Sequence, residues 1–258
     1  MNSLLEIKKT KNVIVVLPAY NAEHTLEQTV KDIPREWVDE ILLVDDASQD
    51  GTWRVAQRLG VATVKHAENR GYGGNQKTCY AEALKRGADI VVMVHPDYQY
   101  DPALIPTLIA PLLRKECDAV FGSRMLGGQF LEGGMPLWKF YGNILLTALE
   151  NMALHVFLSE YHSGFRAYSR RYLESVNLLA NSDDFVFDTE IIVQGIAQGF
   201  RIREVPIATR YFDSASQISF WRSVRYALSI VGVLVRYLLH QRGLRASRLF
   251  ASPQSLAE

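Results

Sequence analysis

Residues 90–102 read IVVMVHPDYQYDP, and this stretch decides the fold class. Five apolar residues, Ile90 to Val94, are followed at once by His95, Pro96 and Asp97. An apolar run without polar alternation is typical of a strand buried on both faces, as in a parallel sheet. Ligands of open α/β sheets bind at the carboxyl ends of the strands, so the polar residues here indicate a functional site. The alternative is a polar turn that only leads into the next helix.

The composition argues against several classes of protein. The chain has 258 residues, 48% of them hydrophobic, enough for one large α/β domain or two small ones. Lys plus Arg equals Asp plus Glu at 28 each, so no global charge favours nucleic acid. The two cysteines, Cys79 and Cys117, lack metal-ligand spacing and fit a reducing cytoplasm. The start lacks the apolar core of a signal peptide, and charges interrupt the apolar segments, so we expect no transmembrane helix.

Strands and helices alternate along the first half of the chain. Apolar runs predict strands at 13–17, 40–44, 61–65, 90–94 and 119–122. Further strands are expected at 163–168 and 202–207. The segments between these runs have helical spacing, as at Leu26, Val30 and Ile33. This alternation with short connections predicts a doubly wound α/β sheet.

The glycine pattern argues against two common nucleotide-binding folds. A dinucleotide-binding Rossmann fold needs a glycine-rich loop after the first strand, but residues 18–25, PAYNAEHT, contain no glycine. Glycines lie instead after the third strand, at Gly71, Gly73 and Gly74. The GxxxxGK[ST] loop of P-loop ATPases is also absent from the sequence.

Seven short motifs, in this order, resemble those of family 2 glycosyltransferases, which have the GT-A fold. They are Pro18-Ala19-Tyr20-Asn21, Val44-Asp45-Asp46-Ala47-Ser48 with Asp50-Gly51-Thr52, His95-Pro96-Asp97-Tyr98-Gln99, Gly122-Ser123-Arg124, Ser163-Gly164-Phe165-Arg166, Phe187-Asp188-Thr189-Glu190 and Glu204-Val205-Pro206-Ile207. The last three are similar to dolichol-phosphate mannosyltransferase and related polyprenyl-phosphate sugar transferases. Each motif alone is weak, but their order over about residues 13–220 is specific.

The resemblance implies a single GT-A glycosyltransferase domain, a mostly parallel α/β sheet flanked by helices, over residues 1–241. Within it we expect a nucleotide-sugar-binding half at 13–122, an acceptor half at 123–220 and an amphipathic helix at 221–241. We expect the tail, 242–258, to be frayed.

The resemblance also assigns a nucleotide-sugar site. It implies that Pro18, Tyr20, Val44 and Asp46 hold the base and ribose of a UDP- or GDP-linked sugar. A carboxylate at Asp46 can accept hydrogen bonds from ribose hydroxyls, and the alternative is that it caps a helix. Glu23 stands one position later than the usual acid of the family. It is either a nucleotide contact or a first-turn acid that complements the helix dipole.

His95-Pro96-Asp97 stands where the family has Asp-x-Asp, which binds Mg²⁺ or Mn²⁺ against the diphosphate. A histidine here removes one anionic ligand, so Asp97, together with Gln99, must provide more of the coordination of the metal ion. Neutral imidazole suits Mn²⁺ better than Mg²⁺, and we expect weak or Mn²⁺-biased binding by Asp97, His95 and Gln99. His95, Pro96 and Gln99 are also expected to line the nucleotide-sugar site.

Four further residues complete the implied site. Arg124 follows the fifth strand with a planar fork of donors that suits a phosphate; the alternative is a surface salt bridge. Arg210 matches a phosphate-contacting cation of the family, whereas Gln217 stands where lysine is typical. Asp188 is either a catalytic base or a helix N-cap.

A helix predicted over Trp221 to His240 is apolar except for one stripe. The stripe consists of Arg222, Arg225, Ser229, Gly232, Arg236 and His240. Such a helix suits the plane of a membrane interface. The alternative is packing against a second predicted helix, Leu137 to Leu158, in the same chain or in a homo-oligomer.

These observations predict a cytoplasmic, inverting, metal-assisted sugar transferase that acts on a polyprenyl phosphate, at the inner face of the cell membrane. A phosphate monoester is largely ionised at neutral pH and needs no general base. One alternative is transfer to a saccharide or protein hydroxyl. The other, suggested by His95 and Gln217, is a nucleotide-sugar-binding protein without transferase activity.

Overall fold

A computed structural model describes residues 2–128, 136–210 and 220–250. The strands are β1 (Val13–Ala19), β2 (Glu40–Asp45), β3 (Ala62–Lys65), β4 (Ile90–Met93), β5 (Ala119–Ser123), β6 (Arg166–Ser169) and β7 (Ile202–Pro206). They form one sheet in the order β3-β2-β1-β4-β6-β5-β7. Only β6 runs antiparallel to its neighbours, β4 and β5, among these paired strands. The predicted mostly parallel α/β sheet is confirmed.

Helices cover both faces of the sheet. They are α1 (Asn2–Lys8), α2 (Leu26–Lys31), α3 (Thr52–Arg58), α4 (Gly71–Lys85), α5 (Ile105–Leu113), α6 (Arg124–Gly127), α7 (Leu137–Leu154), α8 (Arg170–Ser175), α9 (Phe187–Ala197) and α10 (Phe220–Gln241). Successive residues of β1 point to opposite faces. Val13 and Val15 pack with α2, α3 and α5, while Ile14 and Val16 pack with α4, α9 and α10. The molecule therefore has three layers, with a core on each side of the sheet.

Two predicted elements have different bounds. We expected a strand over Ser163 to Tyr168, but β6 begins at Arg166. We expected the long helix to run from Leu137 to Leu158, but α7 ends at Leu154 because His155 adopts the left-handed conformation (φ 54°). The side chain of Asn151 then bonds the backbone N (2.9 Å) and O (2.8 Å) of Leu158, which fixes the turn.

The expectation of a frayed tail is wrong for residues 242–250. Leu249 and Phe250 are buried in the same core as α10, and the Phe250 ring packs on Tyr237 and His240. Two apolar side chains at the end of a polar segment give it enough contact to stay on the core. Residues 251–258 lie outside the described part of the chain.

The two predicted amphipathic helices lie against each other, since α10 packs on α7 as well as on α9. Among the described residues, no helix combines the length and hydrophobicity that crossing a bilayer requires.

Candidate active site

The loops after β1 and β2 are tied together by side chains. Ser48 Oγ accepts from the Asn21 amide (2.9 Å), and Glu23 Oε2 accepts from the Gly51 amide (2.8 Å). Glu23 therefore holds the second loop, a contact that neither of our expectations for it included. Beside these loops Tyr20 is 53% exposed, so its ring is available to a ligand.

Three non-glycine residues at this edge of the sheet adopt the left-handed conformation. They are Asn21 (φ 53°), Ala47 (φ 58°) and Tyr98 (φ 59°), which follow β1, β2 and β4. Side chains disfavour this conformation because Cβ crowds the next carbonyl oxygen. Backbone strain of this kind clusters at functional sites, and here it marks the carboxyl edge of the sheet.

Asp46 makes its contacts inside the protein. Its Oδ1 accepts from the Arg70 amide (2.9 Å) and lies 2.7 Å from His66 Nδ1, and its Oδ2 accepts from the Gly71 amide (3.1 Å). His66 Nε2 in turn lies 2.9 Å from Thr78 Oγ1. Asp46 thus accepts from the first backbone amides of α4 although Arg70 is the N-cap of that helix, and its contact with ribose stays a prediction.

Val44 is placed differently from Pro18. Its side chain is buried in the core, so only the backbone of Val44 could reach a nucleotide. The carbonyl of Val44 is also occupied, since it accepts from Asn75 Nδ2 (3.1 Å). Pro18 lies half-buried near the end of β1.

Asp188 lies under the site with both carboxylate oxygens engaged. Tyr72 Oη donates to Oδ2 (2.8 Å) and Gln76 Nε2 to Oδ1 (3.1 Å), and Arg166 Nη1 lies 3.1 Å from Oδ1. The N-cap of α9 is Val186, so the capping alternative for Asp188 is wrong. Asp188 instead joins α4, β6 and α9.

His95 belongs to the same network. Its ring stacks on Tyr72, with centroids 5.5 Å apart, and its Nε2 lies 3.3 Å from Tyr72 Oη. Its other side touches Gly164, where a Cβ would come within 2.5 Å of the imidazole. Burial lowers the pKa of His95 below 6.5 although Asp97 opposes the shift, so the imidazole is neutral at pH 7.

Asp97 is half-buried and lies beside the segment that follows β7. Its Oδ1 accepts from the Gln99 amide (3.0 Å), and the Gln99 carbonyl accepts from the Arg210 amide (2.9 Å). The Arg210 guanidinium lies 4.6 Å from the Tyr98 ring centroid and 3.2 Å from Asp101 Oδ2. These contacts place Arg210 beside the metal motif, and its contact with a phosphate stays a prediction.

Arg124 forms a buried ion pair rather than the surface pair we weighed. Its Nε donates to Oε1 of the fully buried Glu160 (2.7 Å), and its amide donates to Oε2 (2.7 Å). Asn143 Nδ2, from α7, donates to the same carboxylate (2.9 Å). Burial alone would raise the pKa of Glu160, but Arg124 and these bonds lower it overall. A phosphate contact by Arg124 stays a prediction.

Three of the predicted site residues lie at the same edge of the sheet. Asp46, Asp97 and Arg124 follow the carboxyl ends of β2, β4 and β5. Buried Tyr100 connects the last two: its Oη accepts from the Gly164 amide (3.1 Å), and the charges of Arg124 and Asp97 both act on it. Burial, the largest effect, raises the pKa of Tyr100 to about 12.

Sequence reasoning missed the partners of these residues. Tyr72, Gln76, Arg166 and Glu160 received no role, although Arg166 stands in one of the seven motifs. Gln217 and residues 129–135 lie outside the described residues. Within residues 2–128, 136–210 and 220–250, no three His, Cys, Asp or Glu side chains gather as a ready metal site.

Known proteins share this architecture. Glucosyl-3-phosphoglycerate synthase from Mycobacterium tuberculosis, solved with UDP, superposes with a TM-score of 0.73 at 21% identity, covering 95% of this chain and 85% of that one. The same enzyme, solved with Mn²⁺, UDP-glucose and phosphoglyceric acid, gives a TM-score of 0.72 at 22% identity over the same 95% and 85%. At this identity the likeness establishes the GT-A fold.

Several relatives by sequence are named as sugar transferases. A UDP-N-acetylglucosamine–dolichyl-phosphate N-acetylglucosaminyltransferase of Methanococcus voltae is 28% identical over 79% of this chain and 87% of that protein. An undecaprenyl-phosphate mannosyltransferase of Micrococcus luteus is 30% identical over 76% of this chain and 82% of that protein. The family model described as Glycosyl transferase family 2 matches residues 14–176, more than half of the sequence. The chain therefore belongs to glycosyl transferase family 2 and is a glycosyltransferase that uses a nucleotide sugar.

Proposed function

We propose that this glycosyltransferase transfers the sugar of a UDP- or GDP-linked donor to a polyprenyl phosphate at the inner face of the cell membrane and releases UDP or GDP. The named relatives that act on dolichyl and undecaprenyl phosphate support this acceptor, and they favour an enzyme over a non-catalytic binding protein. The UDP-bound structural neighbour supports a uridine nucleotide. Cys79 and Cys117 are both free, which fits a reducing compartment.

The main support for a phosphate acceptor is that both carboxylate oxygens of Asp188 already have partners within the protein. A hydroxyl acceptor needs a base within hydrogen-bond reach to take its proton. Tyr72, Gln76 and Arg166 already occupy both oxygens of the acid expected to serve as that base. The second pKa of a phosphate monoester is about 6, so the phosphate is largely ionised at neutral pH and can attack the sugar without a base. This arrangement therefore favours a phosphate over a hydroxyl as the acceptor.

Asp97 supports the use of Mg²⁺ or Mn²⁺. Its Oδ1 is bonded to Gln99, while its Oδ2 receives no hydrogen bond from the described residues. Such cations are commonly held by one or two carboxylates together with substrate phosphates and water, so Asp97 fits as the main protein ligand. A bound cation would neutralise the charge of the departing diphosphate. His95 turns Nε2 toward Tyr72, and we assign it to packing beneath Asp97.

We assign Arg210 to the acceptor phosphate. Its partner Asp101 is about one-third exposed, and an ion pair of that kind contributes little stability, so the guanidinium can exchange it for a phosphate. Arg124 is bound to the buried Glu160, and its task in this proposal is to shape the loop after β5. The reaction then depends on positioning and charge stabilisation.

The test is a transfer assay with purified protein. UDP- and GDP-linked sugars would be offered with three acceptors: a polyprenyl phosphate, the free polyprenol of the same chain length, and a simple saccharide. Each assay would contain Mg²⁺, Mn²⁺ or EDTA. We expect a polyprenyl-phosphate-linked sugar to form from the phosphate acceptor alone, and we expect no product in EDTA. Transfer to the polyprenol or the saccharide, with none to the phosphate, would reject the proposed acceptor.

A further inference from the structure

Helices α7 and α10 together expose a large apolar surface. The exposed side chains are Leu137, Trp138, Tyr141, Ile144, Leu145 and Met152 on α7, and Trp221, Val224, Leu228, Val231 and Val235 on α10. Leu145 is 63% exposed and Leu228 is 68% exposed. A contiguous apolar patch of this kind on a water-soluble domain marks an interaction site. We call these eleven residues the α7–α10 surface.

The polar side of α7 explains why its apolar side faces outward. Asn143, Thr147 and Glu150 follow each other at helical spacing on one side of α7, and all three are buried. Asn143 donates to Glu160 (2.9 Å), and Glu150 lies 3.0 Å from His162 Nε2. A helix at a protein–water boundary normally shows the opposite arrangement. The buried polar contacts therefore fix α7 with its apolar face directed away from the protein.

The charges beside this surface indicate the occupant. Arg222 and Arg225 are exposed on the first turns of α10, whereas Arg236 pairs with Glu190. From Phe220 to Phe250 the sequence has six arginines and no aspartate or glutamate, in a chain with no net charge. A second copy docked by the same face would bring like charges together. An anionic lipid surface satisfies both the cations and the apolar side chains.

The inner sides of the same helices touch the active site. Asn143 of α7 bonds the carboxylate that holds Arg124, and Tyr226 of α10 packs edge-on against His162, 6.0 Å between ring centroids. We propose that the α7–α10 surface docks this enzyme on an anionic membrane. This inference rests on the proposed function, because it would bring the site to the layer that holds a polyprenyl phosphate.

Vesicle flotation without any substrate tests the docking. The purified chain would be mixed with vesicles of phosphatidylcholine alone or with about one-third phosphatidylglycerol. We expect binding to the anionic vesicles, with a loss of about fivefold for each arginine removed in Arg222→Gln and Arg225→Gln, the usual effect of one cation near such a surface. Leu145→Glu with Leu228→Glu should abolish it. Leu179→Glu is the matched control, since Leu179 is 88% exposed but lies outside α7 and α10.

Gel filtration and a thermal melt of each variant show whether it is folded. Equal binding by Leu145→Glu/Leu228→Glu and the unaltered chain would overturn the inference. The inference would also be overturned if the unaltered chain were a dimer that does not bind vesicles and the double variant were a monomer. A transfer assay of the unaltered chain on a short, water-soluble polyprenyl phosphate separates the two proposals. Transfer there without vesicle binding rejects only the docking, and vesicle binding without transfer rejects only the acceptor.

Discussion

At the scale of single residues, Ala47 occupies a conformation that suits glycine. Its φ of 58° places Cβ against the next carbonyl, which costs roughly 1 kcal/mol. Glycine removes this strain, but it also raises the entropy of the unfolded chain, which opposes the gain. We therefore expect Ala47→Gly to raise the free energy of unfolding by only about 0.5 kcal/mol. Urea unfolding measures this. The control is Ala81→Gly on the exposed side of α4, which should lower stability by about 1 kcal/mol. A loss at both positions would contradict the argument.

The buried pair of Arg124 and Glu160 predicts a pH-dependent stability. Glu160→Gln should cost about 3 kcal/mol at pH 7, because Arg124 loses its buried counter-charge. The pKa of Glu160 lies below 4.5 in the folded chain, so the contribution of the pair is complete above pH 4.5 and is lost as pH falls through the folded value. The penalty of Glu160→Gln should therefore shrink in acid.

Urea unfolding at pH 7 and near pH 3.5 would measure that change. Glu174→Gln is the control, because the ion pair of Glu174 with Arg170 is half exposed and should be worth less than about 1 kcal/mol at either pH. A Glu160→Gln penalty that stays constant across this range would show that Arg124 does not depend on a charged partner.

At the scale of elements, two glycines in helices should respond oppositely to alanine. In α4, a Cβ at Gly73 would lie 2.3 Å from the Ser182 carbonyl oxygen, whereas one at Gly232 in α10 would meet no atom within 4 Å. We expect Gly73→Ala to cost about 2 kcal/mol by overpacking, and Gly232→Ala to gain about 1 kcal/mol of helix propensity. Thermal or urea unfolding of both variants tests the contrast. Equal effects would mean that α4 can move away from Ser182.

The regular elements were predictable where the pattern was local. Apolar runs placed β1, β2, β4 and β5 closely, because a strand buried on both faces needs such a run. A strand was expected over Ser163 to Tyr168, but the later start of β6 and its antiparallel direction were not predictable in this way. It begins with Arg166, and the burial of that guanidinium depends on Asp188 from α9, a contact far along the chain. Glu160 was missed for the same reason, since nothing beside it in the sequence marks its pairing with Arg124.

At the scale of the whole molecule, nucleotide binding should stabilise the fold. UDP or GDP at about 100 times its dissociation constant adds about 2.7 kcal/mol, which raises the melting temperature of a domain this size by about 5 to 10 °C. We expect the shift to need Mg²⁺ or Mn²⁺, and Asp97→Ala to remove the metal-dependent part. A thermal-shift panel measures both.

Glu36→Ala is the control for Asp97→Ala, because Glu36 is an exposed acid just before the amino end of β2, at the opposite edge of the sheet. It should leave the shift unchanged. An Asp97→Ala protein with the full metal-dependent shift would exclude Asp97 as a ligand.

The position of β6 has a consequence for biosynthesis. β4 and β5 do not pair with each other, since each pairs with β6, which is made after both, and β7 joins the far side of β5. At about 5 to 20 residues per second, the ribosome takes roughly 10 to 40 seconds to reach the end of β7. During that interval the nascent chain carries unpaired strand edges, which favour aggregation. We therefore expect the late pairing of β6 with β4 and β5 to determine how strongly folding in the cell depends on chaperones. Slower translation before β6 should lower the yield of folded enzyme.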